Sequence, residues 1–458
     1  MFSYMKRGRD FYRTVLSLAI PIVLQNLITT SMGLLDTFMV GMLGETPLAA
    51  VTMANIPIFV EQLMIFGFQS GSSVLISQFY GKNDEDSINQ VLGIAFYISG
   101  GLTLLFGCIM CFFPLEFMGL FGNDAVVVGT AAQYIRIVAF SIFFGGLSEV
   151  YIAAHRSMAN PKLGLYILAV SVLSNTFFNW VFIFGKLGAP AMGVEGAALA
   201  TLMARILQFL IALLHILLNK RFRLKPAQLL RPSRAMLRRY IHYATPVLFN
   251  ETFWGLGTAL YPTIMGHMAG SQAILAAYGI SGNIEKLATS LVFAVGGTTA
   301  IIIGNEIGAG RRETVYDVGL ALNTLAFLTG LIAGLTMIGL TFLFFRPVVY
   351  PFFHLSDQAA DIAAMMSVVT FSFLSVRSFN TTNVVGVLRG GGDVRAASLI
   401  DLSSLWLVSI PLAALSGLVF QWGILAVCLC ISLDNVIKFF FGVARLRSGV
   451  WIRDVTVS

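Results

Sequence analysis

The sequence predicts an all-α integral membrane protein with twelve transmembrane helices, arranged as two six-helix bundles related by a pseudo-two-fold axis along the membrane normal. Three observations predict it: an apolar composition, twelve apolar runs of spanning length, and a weak repeat of the first half in the second. Apolar residues make up 57% of the 458, charged residues only 11%, and the mean hydropathy is +0.83. A soluble globular chain is about 25% charged. That balance excludes a soluble enzyme, a disordered chain and a fibrous repeat. A span takes about 20 apolar residues, so twelve of them leave short ends and loops and no folded aqueous domain.

The runs lie at about 14–40, 48–79, 88–113, 126–153, 163–185, 193–218, 242–266, 275–305, 315–345, 358–388, 396–419 and 421–444. Several exceed 25 residues, so tilts or kinks are expected. The start, Lys6-Arg7-Gly8-Arg9 before an apolar run, imitates a signal peptide. The run is too long for one and is read as the first span, retained. Cys108, Cys111, Cys428 and Cys430 all fall inside apolar runs, and the CxxC at 108–111, with no other ligands nearby, reads as membrane packing.

Lysine and arginine set the orientation. Twenty-two of the 29 fall in loops on the side of the amino terminus, and two, Lys186 and Arg346, on the other side. The remaining five, Arg136, Arg205, Lys286, Arg377 and Lys438, lie within spans. The bias puts both termini in the cytoplasm of a multi-pass protein of the cell membrane and favours an even number of spans. Residues 219–239 carry eight of these cations, from Lys220 and Arg221 to Arg239, and no acid. They read as a basic cytoplasmic linker that faces anionic lipid.

Weak self-similarity flanks that linker. Leu18-Ala19-Ile20-Pro21 returns as Tyr243-Ala244-Thr245-Pro246, Gly41 as Gly266, Leu48-Ala49-Ala50 as Leu275-Ala276-Ala277, Gly81 as Gly308, Arg156 as Arg389 and Gly196 as Gly423. The predicted organisation is an amino-terminal bundle over 1–218, the linker over 219–239 and a carboxy-terminal bundle over 240–458. Six spans per half bring both halves into the membrane from the same side, the parallel kind of repeat that transporters use for alternating access.

Local motifs add a family. Asp36-Thr37 runs through Val40-Gly41-Met42-Leu43-Gly44 to Leu48-Ala49-Ala50-Val51. Asn175 and Asn179 precede Phe182-Ile183-Phe184-Gly185, and Gly193-Val194-Glu195-Gly196 opens the sixth run. Gly304-Asn305-Glu306-Ile307-Gly308-Ala309-Gly310 and Leu388-Arg389-Gly390-Gly391-Gly392-Asp393 follow in the second half. Over nearly the whole chain the sequence resembles the multidrug and toxic compound extrusion (MATE) family, of the bacterial NorM/DinF-like type. The resemblance implies a secondary active antiporter exporting organic, cationic and amphipathic compounds in exchange for sodium ions or protons.

Carboxylates inside spans are costly and need a role. Thr29, Gly33 and Asp36 share one face of the first span; Ser171, Asn175 and Asn179 line the fifth; Thr201, Arg205 and Gln208 line the sixth. A carboxylate, two amides and a hydroxyl can take a sodium ion or hold a proton. The resemblance places such a site at Asp36, Asn175, Asn179 and Thr201. Some relatives have Asp where this chain has Asn179. The plainer reading makes Asp36 an ion-pair partner of Arg136 or Arg205.

Glu251, in the seventh span, resembles a cation-binding glutamate of NorM-type members, although the acid they carry in the tenth span is missing from 377–387 here. Its plainer reading is a structural hydrogen-bonding role. Its repeat counterpart is Asn26, and that of Asp36 is Tyr261. Asn26, Thr29, Tyr261 and Glu285 are candidates for a substrate cleft. Asp434 and Lys438 stand i, i+4 and can neutralise each other. Glu149, Asp401 and Glu306 are expected to stabilise loops near the inner ends. His354, placed near the outer surface, and the other histidines show no metal spacing. No P-loop, GxSxG or metal cluster points to an enzyme or an ATP-driven pump. The partners expected are small organic substrates and the lipid bilayer, with no nucleic acid, no cofactor beyond the coupling ion, and a monomeric state. A lipid-linked oligosaccharide flippase of the same architecture is the first alternative, kept alive by Arg136, Arg205 and Arg377; an integral membrane transferase is the second.

Overall fold

The computed structural model describes residues 3–219, 222–353 and 355–457; Lys220, Arg221 and His354 lie outside them. Helices make up 86% of the described residues, among which no strand occurs. The spanning helices are α1 (Arg9–Gly41), α2 (Glu45–Gly81), α3 (Glu85–Phe112), α4 (Ala125–Ser157), α5 (Pro161–Phe184), α6 (Gly193–Leu218), α7 (Arg234–Gly266), α8 (Ser271–Gly308), α9 (Arg312–Phe352), α10 (Asp357–Ser372 with Leu374–Leu388), α11 (Val394–Val419) and α12 (Ile424–Arg447). Ten are long and apolar enough to cross a membrane, and the bent α10 is an eleventh. Helix α7, as long as α1 but carrying Asn250 and Glu251, completes the twelve. A helix satisfies its own backbone polar groups, which lipid cannot do. Outward side chains such as Phe38, Leu173, Leu343 and Leu407 are more than 60% exposed in the protein alone, and that surface is solvated by acyl chains.

The helices start where caps permit. Asp84 accepts from the Ser87 backbone N–H at the start of α3, and Asp124 accepts from Val126 and Val127 at the start of α4. Pro161 opens α5, where its missing N–H costs nothing. Helix α10 bends by 50° at Phe373. There the Ser372 hydroxyl donates to the Val368 carbonyl, competing with the backbone ladder.

The chain forms two compact units. One comprises Leu24–Leu248; the other comprises Met1–Val23 and Phe249–Ser458. The cuts fall inside α1 and α7, a few residues beyond Pro21 and Pro246, so the units do not coincide with the halves drawn from the repeat. Close helix approach accounts for the second cut. A Cβ on Gly67 would stand 2.8 Å from Leu248 Cα, and one on Gly71 2.4 Å from Ala244 Cα. The beginning of α7 therefore packs directly on α2. Tyr240 reinforces it, its hydroxyl accepting from Ser72 at 2.9 Å.

In the Leu24–Leu248 unit, small buried residues let helices approach: Ala50 and Ala54 of α2, Ala131 of α4, Ala197 and Ala198 of α6. The basic linker is docked here. Asn89 accepts from the Lys225 backbone, Gln90 from the Ser233 backbone, and Tyr97 donates to the Leu230 carbonyl. The other unit repeats the small-residue core with Ala277, Ala363 and Ala413. It differs in carrying wide, π-type turns at Thr341–Val349, Thr382–Leu388, Leu405–Ser409 and Leu415–Val419. Such turns often mark functional positions inside helices.

In the same unit the tail after α12 folds back on the protein. Trp451 is fully buried against Gly319 and Gly391. A Cβ on Gly391 would meet the Trp451 carbonyl at 2.5 Å, and Gly392 needs its positive φ of 84°. Asp393 is clasped by Arg445 at 2.6 Å and Arg453 at 3.1 Å. The Gly-Gly-Gly-Asp signature thus holds the carboxy-terminal segment.

Candidate functional site

Three helices of the Leu24–Leu248 unit place the polar stripes face to face. Asn179 of α5 donates through Nδ2 to Asp36 Oδ1 of α1 at 2.5 Å and to Asn175 Oδ1 at 3.3 Å. Asn175 Nδ2 reaches Thr201 Oγ1 of α6 at 3.4 Å, and Thr201 in turn donates to the Ala197 carbonyl. Asn175 and Asn179 are each 1% exposed, while Asp36 and Thr201 are half-buried. All four expected residues lie in one connected cluster. The Asn179 Oδ1 atom is buried without a partner, so an oxygen beside the carboxylate is left over for a ligand. A carboxylate, amide oxygens and a hydroxyl suit a hard cation such as sodium, or a proton.

Asp36 pairs with no guanidinium at ion-pair distance among the described residues. Arg205 acts on it electrostatically from further away, and Arg136 is exposed. Arg205 is instead anchored one layer along α6. Its Nη1 donates to Glu149 Oε1 of α4 at 3.1 Å and to Gln208 Oε1 at 2.9 Å, and Ser171 donates to the same Gln208 oxygen. Glu149, expected to stabilise a loop, holds Arg205 inside the bundle. Tyr134 of α4, which the sequence did not single out, adds a hydroxyl on Thr201. Its aromatic ring amid apolar neighbours gave no signal.

The candidates of the other unit are engaged with one another. Glu251 accepts from Arg389 Nη1 at 2.7 Å, with the Arg389 side chain 2% exposed. Arg389, a loop cation by its place in the sequence, lies buried after the wide turn of α10 and reaches back 138 positions. No local spacing could have disclosed that pairing. Lys438 donates to Asp434 at 2.9 Å, in the i, i+4 register expected, and also to Asp401 at 2.8 Å. Asn250 holds the second Asp401 oxygen, so Asp401 ties α7, α11 and α12 together rather than supporting a loop. Glu306 pairs with Arg311 at the end of α8, as a loop stabiliser should.

Of the cleft candidates, Glu285 pairs with Arg377. The Tyr261 hydroxyl shares a 2.8 Å hydrogen bond with Ser409 and is 7% exposed. Thr29 is exposed and donates to the Gln25 carbonyl; Asn26 is half-buried. The cysteines are free thiols, and among the described residues no group of His, Cys, Asp and Glu could hold a metal.

Comparison with known proteins adds the family. The model of the MatE family matches residues 21–181 and again 246–415, two stretches that begin at Pro21 and Pro246. The chain is 24% identical over 451 residues to an uncharacterized transporter, YisQ, of Bacillus subtilis, covering 98% of this chain and 97% of that one. It is also 24% identical to the multidrug resistance protein NorM of Vibrio vulnificus over 431 residues, 90% and 89% of the two chains. A mutant of the Vibrio cholerae MATE transporter VcmN superposes with a TM-score of 0.87 at 18% identity, over 97% and 98% of the chains. With both halves matched by one family model and the twelve-helix fold shared, the chain belongs to the MatE family of membrane transporters.

Proposed function

We propose that the chain is a secondary active antiporter that exports organic, cationic and amphipathic compounds by alternating access, driven by inward flow of protons or sodium ions. The cluster at Asp36 carries the reading: an intramembrane carboxylate held by Asn179, beside an amide oxygen with no partner of its own. The names of relatives such as the NorM multidrug resistance protein support the class of substrate. In this reading Asp36, Asn175, Asn179 and Thr201 receive the coupling ion, and Glu251 is tuned by Arg389. Asn26, Thr29, Tyr261 and Glu285 bear on the substrate path. The duplicated halves 1–218 and 240–458 are joined by the cytoplasmic linker 219–239, both termini are cytoplasmic, and the unit of function in the cell membrane is a monomer. Pairing of Arg205 with Glu149 and of Arg377 with Glu285 leaves less free positive charge for the pyrophosphate of a lipid-linked sugar, which weighs against a flippase.

Proteoliposomes loaded with a fluorescent organic cation, given an imposed sodium or proton gradient, test the reading. Gradient-driven movement that stops in Asp36→Asn is the expected result. Movement that is indifferent to both gradients would remove the antiport reading.

A further inference from the structure

Midway along α2, in the Leu24–Leu248 unit, Glu61 is 3% exposed, and its Oε1 is buried with no hydrogen-bond partner. One turn further on the same face, Ile65 packs at Gly146 of α4, where an added Cβ would stand 3.4 Å from its Cδ1. The neighbouring Gly145 lets the Arg205 side chain pass, with Cδ 3.3 Å from the position of a Cβ. The charges acting on Glu61 are therefore Arg205 from α6 and Glu149 from α4; the buried polar residues of α3, Ser99 and Thr103, are uncharged.

Arg205 is already committed. Its Nη1 serves Glu149 and Gln208, and its charge also acts on Asp36. Three carboxylates thus depend on one guanidinium. An ionised Glu61 would be a buried anion with a bare oxygen and only a shared countercharge, an arrangement that membrane interiors do not sustain.

We propose that Glu61 is a second proton-carrying site of this unit, distinct from the Asp36 cluster and joined to it through Arg205. The proton resides on the Glu61 carboxyl, and Arg205 is the countercharge that receives the carboxylate when the proton leaves. Neutralising Asp36 releases part of the Arg205 field to Glu61, and the influence is reciprocal. The proposal goes beyond the antiport reading, since the proton on Glu61 is detectable whether or not the chain couples export to a gradient.

The test is infrared spectroscopy of the purified protein in lipid nanodiscs at neutral pH, in H2O and D2O. A protonated-carboxyl stretching band that shifts in D2O, vanishes in Glu61→Gln, moves in Glu61→Asp and stays at reduced intensity in Asp36→Asn, where more of the Arg205 field falls on Glu61, is expected. Should Glu61→Gln fail to fold, the band displacement in Glu61→Asp carries the assignment. Spectra of both Glu61 variants that superimpose on wild type would overturn the proposal. Loss of coupled export in Asp36→Asn bears only on the antiport reading, so the two failures are separable.

Discussion

The Asn179 side-chain amide donates to the Asp36 carboxylate at 2.5 Å, tying α1 to α5 within the Leu24–Leu248 unit. The tie lies in the half of α1 beyond Pro21, a residue that removes a backbone donor and gives the helix a weak point. An ion arriving at Asp36 changes the value of that tie. It can shift the conformational equilibrium only by the difference in its affinity for the two states.

Asp36→Asn keeps the shape and removes the charge. Gradient-driven export is expected to fall at least tenfold, about 1.4 kcal/mol or more, while the equilibrium Kd for an organic cation in detergent stays within about twofold. Export assays beside binding titrations check both halves. Undiminished coupled export by this variant would leave Asp36 with a structural role only.

Asn179→Asp sets a second carboxylate at the same contact. Two like charges so close cannot both stay ionised without a cation between them. Sodium binding measured by titration calorimetry is expected to tighten by roughly tenfold, and export is expected to become sodium-dependent. Binding of sodium no tighter than in wild type would show that Asn179 does not face the ion.

Much of this was legible in the sequence, and for a physical reason. Polar residues are costly in lipid, and helical spacing put Asp36 on a polar stripe of α1, Asn175 and Asn179 on one of α5 and Thr201 on one of α6; that these stripes share a site was implied by the family resemblance, not by the spacing. Most span ends also came within a few residues, because the apolar runs are long; the start of α7 at Arg234 and the end of α9 at Phe352 lie seven to eight residues beyond the apolar runs that announced them. What stayed hidden depends on long-range pairing. Glu251 and Arg389 lie 138 positions apart, Asp401 and Lys438 sit on neighbouring helices, and the bend at Phe373 has no proline to announce it. The unpartnered oxygen of Glu61 is likewise decided by packing and not by spacing.

Glu251→Gln leaves Arg389, 2% exposed, as a buried cation without its carboxylate. Breaking one side of such a pair costs about 3–5 kcal/mol, so a marked drop in thermal stability is expected. The double variant Glu251→Gln with Arg389→Gln is expected to recover most of it. Both are read from unfolding curves in detergent. A single variant as stable as wild type would argue that Glu251 is held for binding rather than for packing.

The tail clamp gives a prediction of stability and of its pH dependence. Trp451 fills the space above Gly319 and Gly391 and donates its indole N–H to the Leu446 carbonyl. Trp451→Ala opens a cavity at that place, and large-to-small changes of this kind cost about 3–5 kcal/mol. Beyond Trp451, Asp454 pairs with Arg312 at 2.8 Å. Burial pushes the Asp454 carboxyl up, but hydrogen bonds from the Thr456 hydroxyl and backbone, with the Arg312 guanidinium, outweigh it and hold the group below its usual value. A carboxyl lowered by folding contributes stability that is complete above its unfolded value and is lost as the pH falls through the folded one. Docking of the tail should therefore be unchanged between neutral pH and pH 5 and should weaken only in stronger acid. Limited proteolysis of residues 448–457 across that range reads the docking directly. In Asp454→Asn the acid-dependent step is expected to disappear, with the tail more readily cleaved at neutral pH. Cleavage that rises steadily from pH 7 to 5 in the unmodified protein would mean that another group controls the clamp.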